Sequence, residues 1–337
     1  MRNTWLKTAA VGLTATVLLA GCGSSNTSSS SGSEDASSGK TYQIGVSQIV
    51  QHASLDEAYK GFQEALKDKG IDAKYDEQNA QGDPNNSLTI AQNFVGKNVD
   101  LIFANSTPSA MGALTATKDS NKDIPIVFTS VTDPVAAELV ESLEAPGGNV
   151  TGTTDTHPDA IANSVKFIAE ELGAKTIGTV YNSGEQNSIV QINMLKAEAD
   201  KHGIKVVEAS AATSADVKQA TESLVGKADA FFIVTDNTVV SALEAVIMVA
   251  NEKKIPLFVG ELDSVARGGF AAYGFSYHDI GYEAGEMAAD ILLNGTKPSE
   301  LPVQYPQNLK LVINEKAAKE MGIELKEEWK SEAEFIK

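Results

Sequence analysis

From Tyr42 onward, short apolar runs alternate with longer stretches in which apolar residues recur every three or four positions. The short runs predict strands at Tyr42–Val46, Ala73–Asp76, Leu101–Ala104, Ile126–Thr129, Thr176–Tyr181, Lys205–Glu208, Ala230–Val234, Leu257–Val259 and Ala271–Tyr273. Each is of strand length, too short for a stable helix. The stretches between them read as amphipathic helices. Leu55–Lys69 is the clearest, with Leu55, Ala58, Tyr59, Phe62, Ala65 and Leu66 on one face. Helix starts are marked by residues whose side chains or fixed φ suit the first turn: Ser54 ahead of Asp56-Glu57, Thr107-Pro108, Asp133-Pro134, and Thr213-Ser214 ahead of Asp216. Helix ends are marked by Lys69-Gly70, His202-Gly203 and Asn294-Gly295, where glycine supplies the left-handed conformation that stops a helix.

Regular alternation of strand and helix implies parallel sheets covered by helices on both faces. Two such blocks fit, at about 41–150 and 158–277, joined by Pro146-Gly147-Gly148-Asn149-Val150-Thr151-Gly152. That joint is too short for a free linker and reads as a strand-like crossover. A helix at Asp279–Asn294 follows, then short strands at Pro302–Gln304 and Lys310–Ile313. A chain that returns after its second block crosses between lobes several times, which makes a hinge. The predicted fold is therefore α/β, two doubly wound parallel-sheet lobes facing each other. Open α/β sheets bind ligands at the carboxyl ends of their strands, and in this arrangement those ends line one shared cleft.

Composition sharpens this. The 337 residues carry 42% hydrophobic and 21% charged side chains, enough for two well-filled cores. With 45 acidic against 27 basic residues the formal charge is −18, so the surface repels phosphate backbones and nucleic-acid partners are not expected. The single cysteine, Cys22, excludes an intrachain disulfide. It also excludes a Cys-rich zinc site and a cysteine nucleophile in the folded body. Arg2 and Lys7 precede an apolar segment from Thr8 to Ala20, which is shorter than the ~20 residues a membrane-spanning helix needs. The segment ends in Leu19-Ala20-Gly21-Cys22, similar to the bacterial lipobox, in which the cysteine is diacylated after cleavage before it. Residues 1–21 are thus expected to be a lipoprotein signal peptide. Residues 22–40, with nine serines and almost nothing apolar, are expected to be a flexible tether. Cys22 becomes a lipid anchor, and the body works on the extracytoplasmic face of the cell membrane.

Chemistry is sparse. The Gly-Lys pairs at Gly39, Gly96 and Gly226 lack the earlier glycine of a phosphate-binding loop. Neither a Gly-x-Ser-x-Gly elbow nor a His-Glu-x-x-His pair occurs. The four histidines, His52, His157, His202 and His278, have no metal-ligand spacing; a contact on the cleft wall is open for His52 and His278. Asp133 and Asp155 are not placed together by any pattern, and capping explains Asp133. No enzyme activity, cofactor or metal is expected, and a binding function is.

From about residue 42 to 325 the chain resembles the solute-binding lipoproteins of ABC importers with the type I periplasmic-binding fold, and within them the tryptophan/tyrosine-type branch. The matching residues are Ile44–Ile49, Leu55-Asp56, Gly61-Phe62, Thr132–Ala137, Pro146–Gly152, Tyr181–Ser188, Thr235–Thr238, Gly281–Gly285 and Leu311–Asn314. The resemblance implies three crossovers, an N-lobe of 41–152 plus 278–305 and a C-lobe of 153–277 plus 306–337. It implies capture of a small solute, an aromatic amino acid first among the choices, and delivery to a permease and its ATPase by a monomer. Another small solute (a different amino acid, a sugar or a nucleoside), or a receptor domain serving a signalling partner, is the alternative. A DNA-binding regulator of the same body fold would need a helix-turn-helix where residues 1–40 carry signal and tether.

An amino-acid ligand needs holders for its carboxylate and its ammonium. Arg267, the one arginine after Cys22, reads as a solvated helix end, so the carboxylate would be met by helix amides and hydroxyls. The turns Asn105-Ser106-Thr107-Pro108 and Thr129-Ser130-Val131-Thr132 offer these, making Thr107, Thr129 and Ser130 candidates, with simple N-capping the competing role. For the ammonium, Asp236 follows an apolar strand at its carboxyl end, with capping of the next helix as its other reading; Asn237 adjoins it. Glu261 is a second acidic candidate. Ser47 and Gln48 after the first strand, and Asn182, Glu185, Asn187 and Ser188 after the fifth, complete the set. Tyr273, Phe275 and Tyr277 could supply a ring partner or serve as hinge packing, and Trp329 reads as a packing anchor in a charged C-terminal helix.

Overall fold

A computed structural model describes residues 40–337; the expected signal peptide, Cys22 and nearly all of the expected tether fall outside the described residues. The first half runs β1 (Tyr42–Gln48), α1 (Ala53–Asp68), β2 (Ala73–Asn79), α2 (Pro84–Lys97), β3 (Leu101–Asn105), α3 (Thr107–Asp119), β4 (Ile126–Val131) and β5 (Val150–Thr154). The second half begins α4 (Ala160–Glu170), β6 (Thr176–Tyr181), α5 (Gln186–Lys201), β7 (Lys205–Ser210), α6 (Val217–Ser223), β8 (Ala230–Ile233) and α7 (Asn237–Ser241). It continues α8 (Leu243–Lys253), β9 (Leu257–Val259), α9 (Leu262–Arg267), β10 (Ala271–Gly274) and α10 (Tyr277–Asn294). The chain closes with β11 (Lys310–Asn314), α11 (Glu315–Met321) and β12 (Ala333–Ile336).

These strands form two sheets, in the orders β2-β1-β3-β4-β5 and β12-β11-β10-β9-β8-β6-β7. All pairings are parallel except β10 with β11. Alternate residues of the first sheet feed different cores: Ile44, Val46, Phe103 and Val127 face α1 and α10, while Ile102, Ala104, Ile126 and Phe128 face α2 and α3. A strand covered on both faces cannot spare a polar alternate position, which is why these strands read as unbroken apolar runs. The second sheet is sandwiched the same way, with Phe231, Phe232, Phe258 and Phe270 in its core.

Three crossings between the sheets occur among the described residues. The first leaves β5 at Thr154, the second runs from β10 into α10, and the third lies between Gln304, which bridges to Thr153, and β11. Helix α10 thus returns to the first lobe and packs along α1 at backbone contact distance. A Cβ on Gly281 would lie 1.9 Å from the Ala58 carbonyl oxygen, and one on Gly61 2.1 Å from that of His278. The Gly61 and Gly281–Gly285 positions singled out in the sequence are the flat surfaces that permit this approach.

Several local expectations change. Val150–Thr154 is a full strand of the first sheet and runs past the expected lobe boundary at 152; Gly152, at φ 153°, lies so near Phe128 that a side chain would meet its carbonyl oxygen at 2.0 Å. Helix α1 begins at Ala53, so Ser54 lies inside it, and the cap position falls on His52, which makes no capping bond. Asp133 accepts from the amides of Val135 and Ala136, closing a turn and not a helix. Trp329 sits in a 3-10 turn (Glu327–Ser331) ahead of β12, not in a charged helix. Its ring packs 4.9 Å from Phe167, and its indole N–H donates to Glu171. Burying the ring against the second sheet outweighs the helical propensity of the surrounding charged residues.

Gly281→Ala should force α1 and α10 apart and destabilise the chain by about 1–3 kcal/mol, the usual cost of overpacking. Urea unfolding monitored by circular dichroism measures it; an unchanged midpoint would show that the helices have slack.

Candidate functional site

The carboxyl ends of β1, β3 and β4 face those of β6, β8 and β9 across the crossovers, and between them lies a tight chamber with about 10 Å³ of free volume. His52, Leu55 and Ser130 line it from the first lobe and Asn187, Asn237, Val240 and Glu261 from the second, with Asp155 and Tyr277 at the crossovers. An adjoining space of about 20 Å³ shares Asp155 and Thr235 and is walled by Ile161, Phe232, Tyr273 and Phe275. The lobes touch directly: the Gln191 amide on α5 donates to the Thr132 hydroxyl at 3.0 Å, and α1 lies against α9.

The acids differ in how their charge is held. Asp236 is wholly buried and is not among the residues lining either space. Its oxygens accept from the Asn182 amide at 2.6 Å, the Ser188 hydroxyl at 2.6 Å and the Val239 amide at 2.7 Å, the last being the N-cap of α7. Burial, and then the neighbouring Glu185 charge, push its carboxyl up. Glu185 accepts from the amides and side chains of both Asn237 and Thr238, and from Asn187. These two carboxylates fasten the β6 turn to the start of α7. Glu261 caps α9 through the Ser264 amide and hydroxyl while facing the chamber.

Asp155 is different. It lines both spaces, accepts from the Thr132 hydroxyl at 3.1 Å and the Tyr277 hydroxyl at 2.7 Å, and forms no ion pair with any described residue. Burial pushes its carboxyl up against the pull of those donors. A carboxylate held by neutral donors alone at the wall of a chamber is a site for a cation. The sequence does not point to Asp155 because the residue sits in a crossover, outside any strand-to-helix turn.

Helix α1 starts beside the chamber, which His52 and Leu55 line, and its first turn has no side-chain cap, so its first amides lack a side-chain partner. The buried Ser54 hydroxyl there has no partner. Burial drives the His52 imidazole down to about 3, so it is neutral at physiological pH and adds no charge. Arg267 is not solvated: it pairs with Glu244 at 2.9 and 3.0 Å and donates to the Val240 carbonyl.

Of the expected residues, Ser130, Asn187, Asn237 and Glu261 line the chamber. Ser130 holds φ 57° and donates to Asn105 at 3.0 Å. Gln48 is tied to Asp56, Val50 and Asn105, and Thr129 accepts from Thr153. The hydroxyls of Ser47 and Thr107 are buried without partners, and Ser106, not Thr107, caps α3. Asn182 and Ser188 support Thr238 and Asp236. His278 is away from the chamber, beside Glu64 on α1. Among the described residues no group of His, Cys, Asp and Glu is arranged to hold a metal ion.

Two parallel-sheet lobes joined by crossovers around a chamber walled by polar side chains, Asp155 and Glu261 among them, define a binding protein that traps a small solute. The chain belongs to the ABC transporter substrate-binding protein family, whose model matches residues 43–337, and its fold is that of type I periplasmic binding proteins. It is 44% identical to a protein named tyrosine-binding protein from Clostridioides difficile, over 91% of this chain and 89% of that one. A Streptococcus pneumoniae ABC domain in complex with L-Trp is 34% identical with a TM-score of 0.82, covering 88% of this chain and all of that one. A ligand-free, open substrate-binding protein with adhesive properties from Clostridium difficile is 42% identical, yet its TM-score is 0.64, over 88% and 99% of the two chains. Higher identity with poorer superposition is what a different lobe angle produces, and the lobes here match the Trp complex.

Closure also places Asp263 of α9 against Glu57 and Lys60 of α1. Burial, the adjacent Glu261 and then Glu57 raise its carboxyl to about 7. A carboxyl whose pKa is higher in the closed form takes up a proton on closing, so closure is favoured at acid pH and weakened as pH rises towards 7. Solute affinity, measured by calorimetry, should fall about fivefold between pH 5 and pH 7, as it does when closing the cleft makes one carboxyl of pKa about 7 hold its proton about ten times more tightly. Asp263→Asn should flatten the profile; an unaltered profile would place the titration elsewhere.

Proposed function

We propose that this protein captures an aromatic amino acid, with tyrosine as the leading solute, and hands it to the permease and ATPase of an ABC importer. The observation that carries the reading is Asp155, a buried carboxylate without a cationic partner, set across the chamber from the uncapped start of α1. A zwitterion satisfies both ends at once: its ammonium meets Asp155 and its carboxylate meets the first-turn amides, Ser54 and Ser130. The ring then lies among Leu55, Val240 and Tyr277, beside the apolar wall of Phe232 and Phe275. The names of the relatives, one tyrosine-binding and one solved with L-Trp, support an aromatic side chain. Carriage of the solute is the role; no bond is made or broken.

The protein acts as a monomer on the extracytoplasmic face, tethered through a lipid on Cys22. Among the described residues no helix is long and apolar enough to cross a membrane. Cys22→Ser should release the chain from the membrane fraction into the medium, and labelled palmitate should mark the parent and not the variant. Retention of the variant in the membrane would contradict the anchor.

Isothermal calorimetry with the twenty amino acids, common sugars and nucleosides tests the solute. Heat should appear for tyrosine, tryptophan or phenylalanine, and Asp155→Ala should lose about 2–5 kcal/mol of that affinity. Silence for all three aromatic amino acids with a signal for a sugar would overturn the reading.

A further inference from the structure

The bonds around Asp155 do more than hold a carboxylate. They join every part that moves when the lobes close. The Thr235 amide of the second lobe donates to Gln191 Oε1 at 3.1 Å, and Gln191 Nε2 reaches across to Thr132 Oγ1 of the first lobe at 3.0 Å. Thr132 Oγ1 in turn donates to Asp155 Oδ1 at 3.1 Å. Asp155 belongs to the first crossover, and its own amide donates to the Val131 carbonyl at 3.1 Å. Its Oδ2 accepts at 2.7 Å from Tyr277, the residue that ends the second crossover and begins α10.

The relay from Thr235 to Tyr277 is complete only when the lobes meet, because its Gln191–Thr132 link spans them. Completing it seals Asp155 in the chamber among hydroxyl donors. Hydroxyls do not replace the hydration of a full negative charge, and Glu261, the other carboxylate on the chamber wall, adds repulsion. A closed state with no positive charge beside Asp155 therefore costs either an uncompensated buried charge or the uptake of a proton by the carboxyl. A state with an ammonium in contact costs neither.

We propose that Asp155 makes lobe closure conditional on a cationic group in the solute, so that the relay closes around amino acids and not around aromatic acids that lack the amine. This rests on reading the chamber as an amino-acid site. It goes beyond that reading by assigning Asp155 a gating role as well as a binding one, and by excluding a class of compounds with the same ring and carboxylate. Population shift supplies the selectivity: a solute that leaves Asp155 uncompensated gains little on closure and cannot hold the closed form.

Small-angle X-ray scattering of the full chain tests the gate. The wild type should contract on addition of L-tyrosine and stay extended with 3-(4-hydroxyphenyl)propionate, the analogue without the amine. Asp155→Asn, which keeps the shape without the charge, should be contracted with no solute added and should bind tyrosine at least about 30-fold more weakly. Contraction of the wild type by the deaminated analogue at comparable concentration would overturn the gate. So would an extended Asp155→Asn or a wild type contracted on its own. The analogue arm uses the unaltered chain, so it decides the matter even if the variant fails to fold. A wild type that binds tyrosine but fails these arms refutes the gate alone, whereas one that binds no aromatic amino acid refutes the underlying reading and the gate with it.

Discussion

Closing two lobes over a solute strips water from any charge between them, and in this protein that charge is Asp155. The rest of the site is arranged around this constraint. The carboxylate sits in a crossover, where it belongs to neither lobe alone. It is oriented by one hydroxyl from the end of a first-lobe strand and one from the start of the helix that returns to that lobe. Neither donor cancels the charge, so the site stays selective for a partner that does. The uncapped start of α1 provides the opposite pole, using orphan amides in place of a guanidinium.

The scaffold has to hold those poles at a fixed separation while the lobes swing. The glycine-lined contact of α1 with α10 does this in the first lobe, because α10 carries Tyr277 at one end and α1 carries the chamber-facing amides at the corresponding end. In the second lobe the Glu185 and Asp236 carboxylates bind the β6 turn to α7 and set Asn187 and Asn237 against the chamber. Buried carboxylates thus serve two purposes in one cleft. Those surrounded by amide donors are structural, and the one held by the Thr132 and Tyr277 hydroxyls keeps its charge unpaired at the chamber wall.

Much of the architecture is legible in the chain. Parallel strands buried on both faces leave a strong apolar signature, so the strand set and the return of the chain at Asp279 can be read directly. Val150–Thr154 is harder, because Thr-Gly-Thr-Thr is polar in composition and becomes a strand by pairing with β4 and bonding to Leu301 and Gln304. The C-terminal segment misleads because a single buried tryptophan overrides a charged, helix-favouring stretch. In the site, strand ends point to Ser130, Asn187, Asn237 and Glu261, but position alone cannot tell a ligand contact from a brace. Asp236 and Asp155 are both buried carboxylates; what separates them is the number of amide donors each receives, and that is a property of the fold. The cue for Asp155 is its place just beyond Thr153-Thr154, where the first crossover has to run.

The central claim is that the ammonium of an amino acid compensates Asp155. A crystal structure of the chain with L-tyrosine tests it most directly. The amino nitrogen is expected within about 3 Å of the Asp155 carboxylate, with the solute carboxylate against the first turn of α1. An amino nitrogen bound by Asp236 or Glu261, with Asp155 still held by Thr132 and Tyr277 alone, would contradict it.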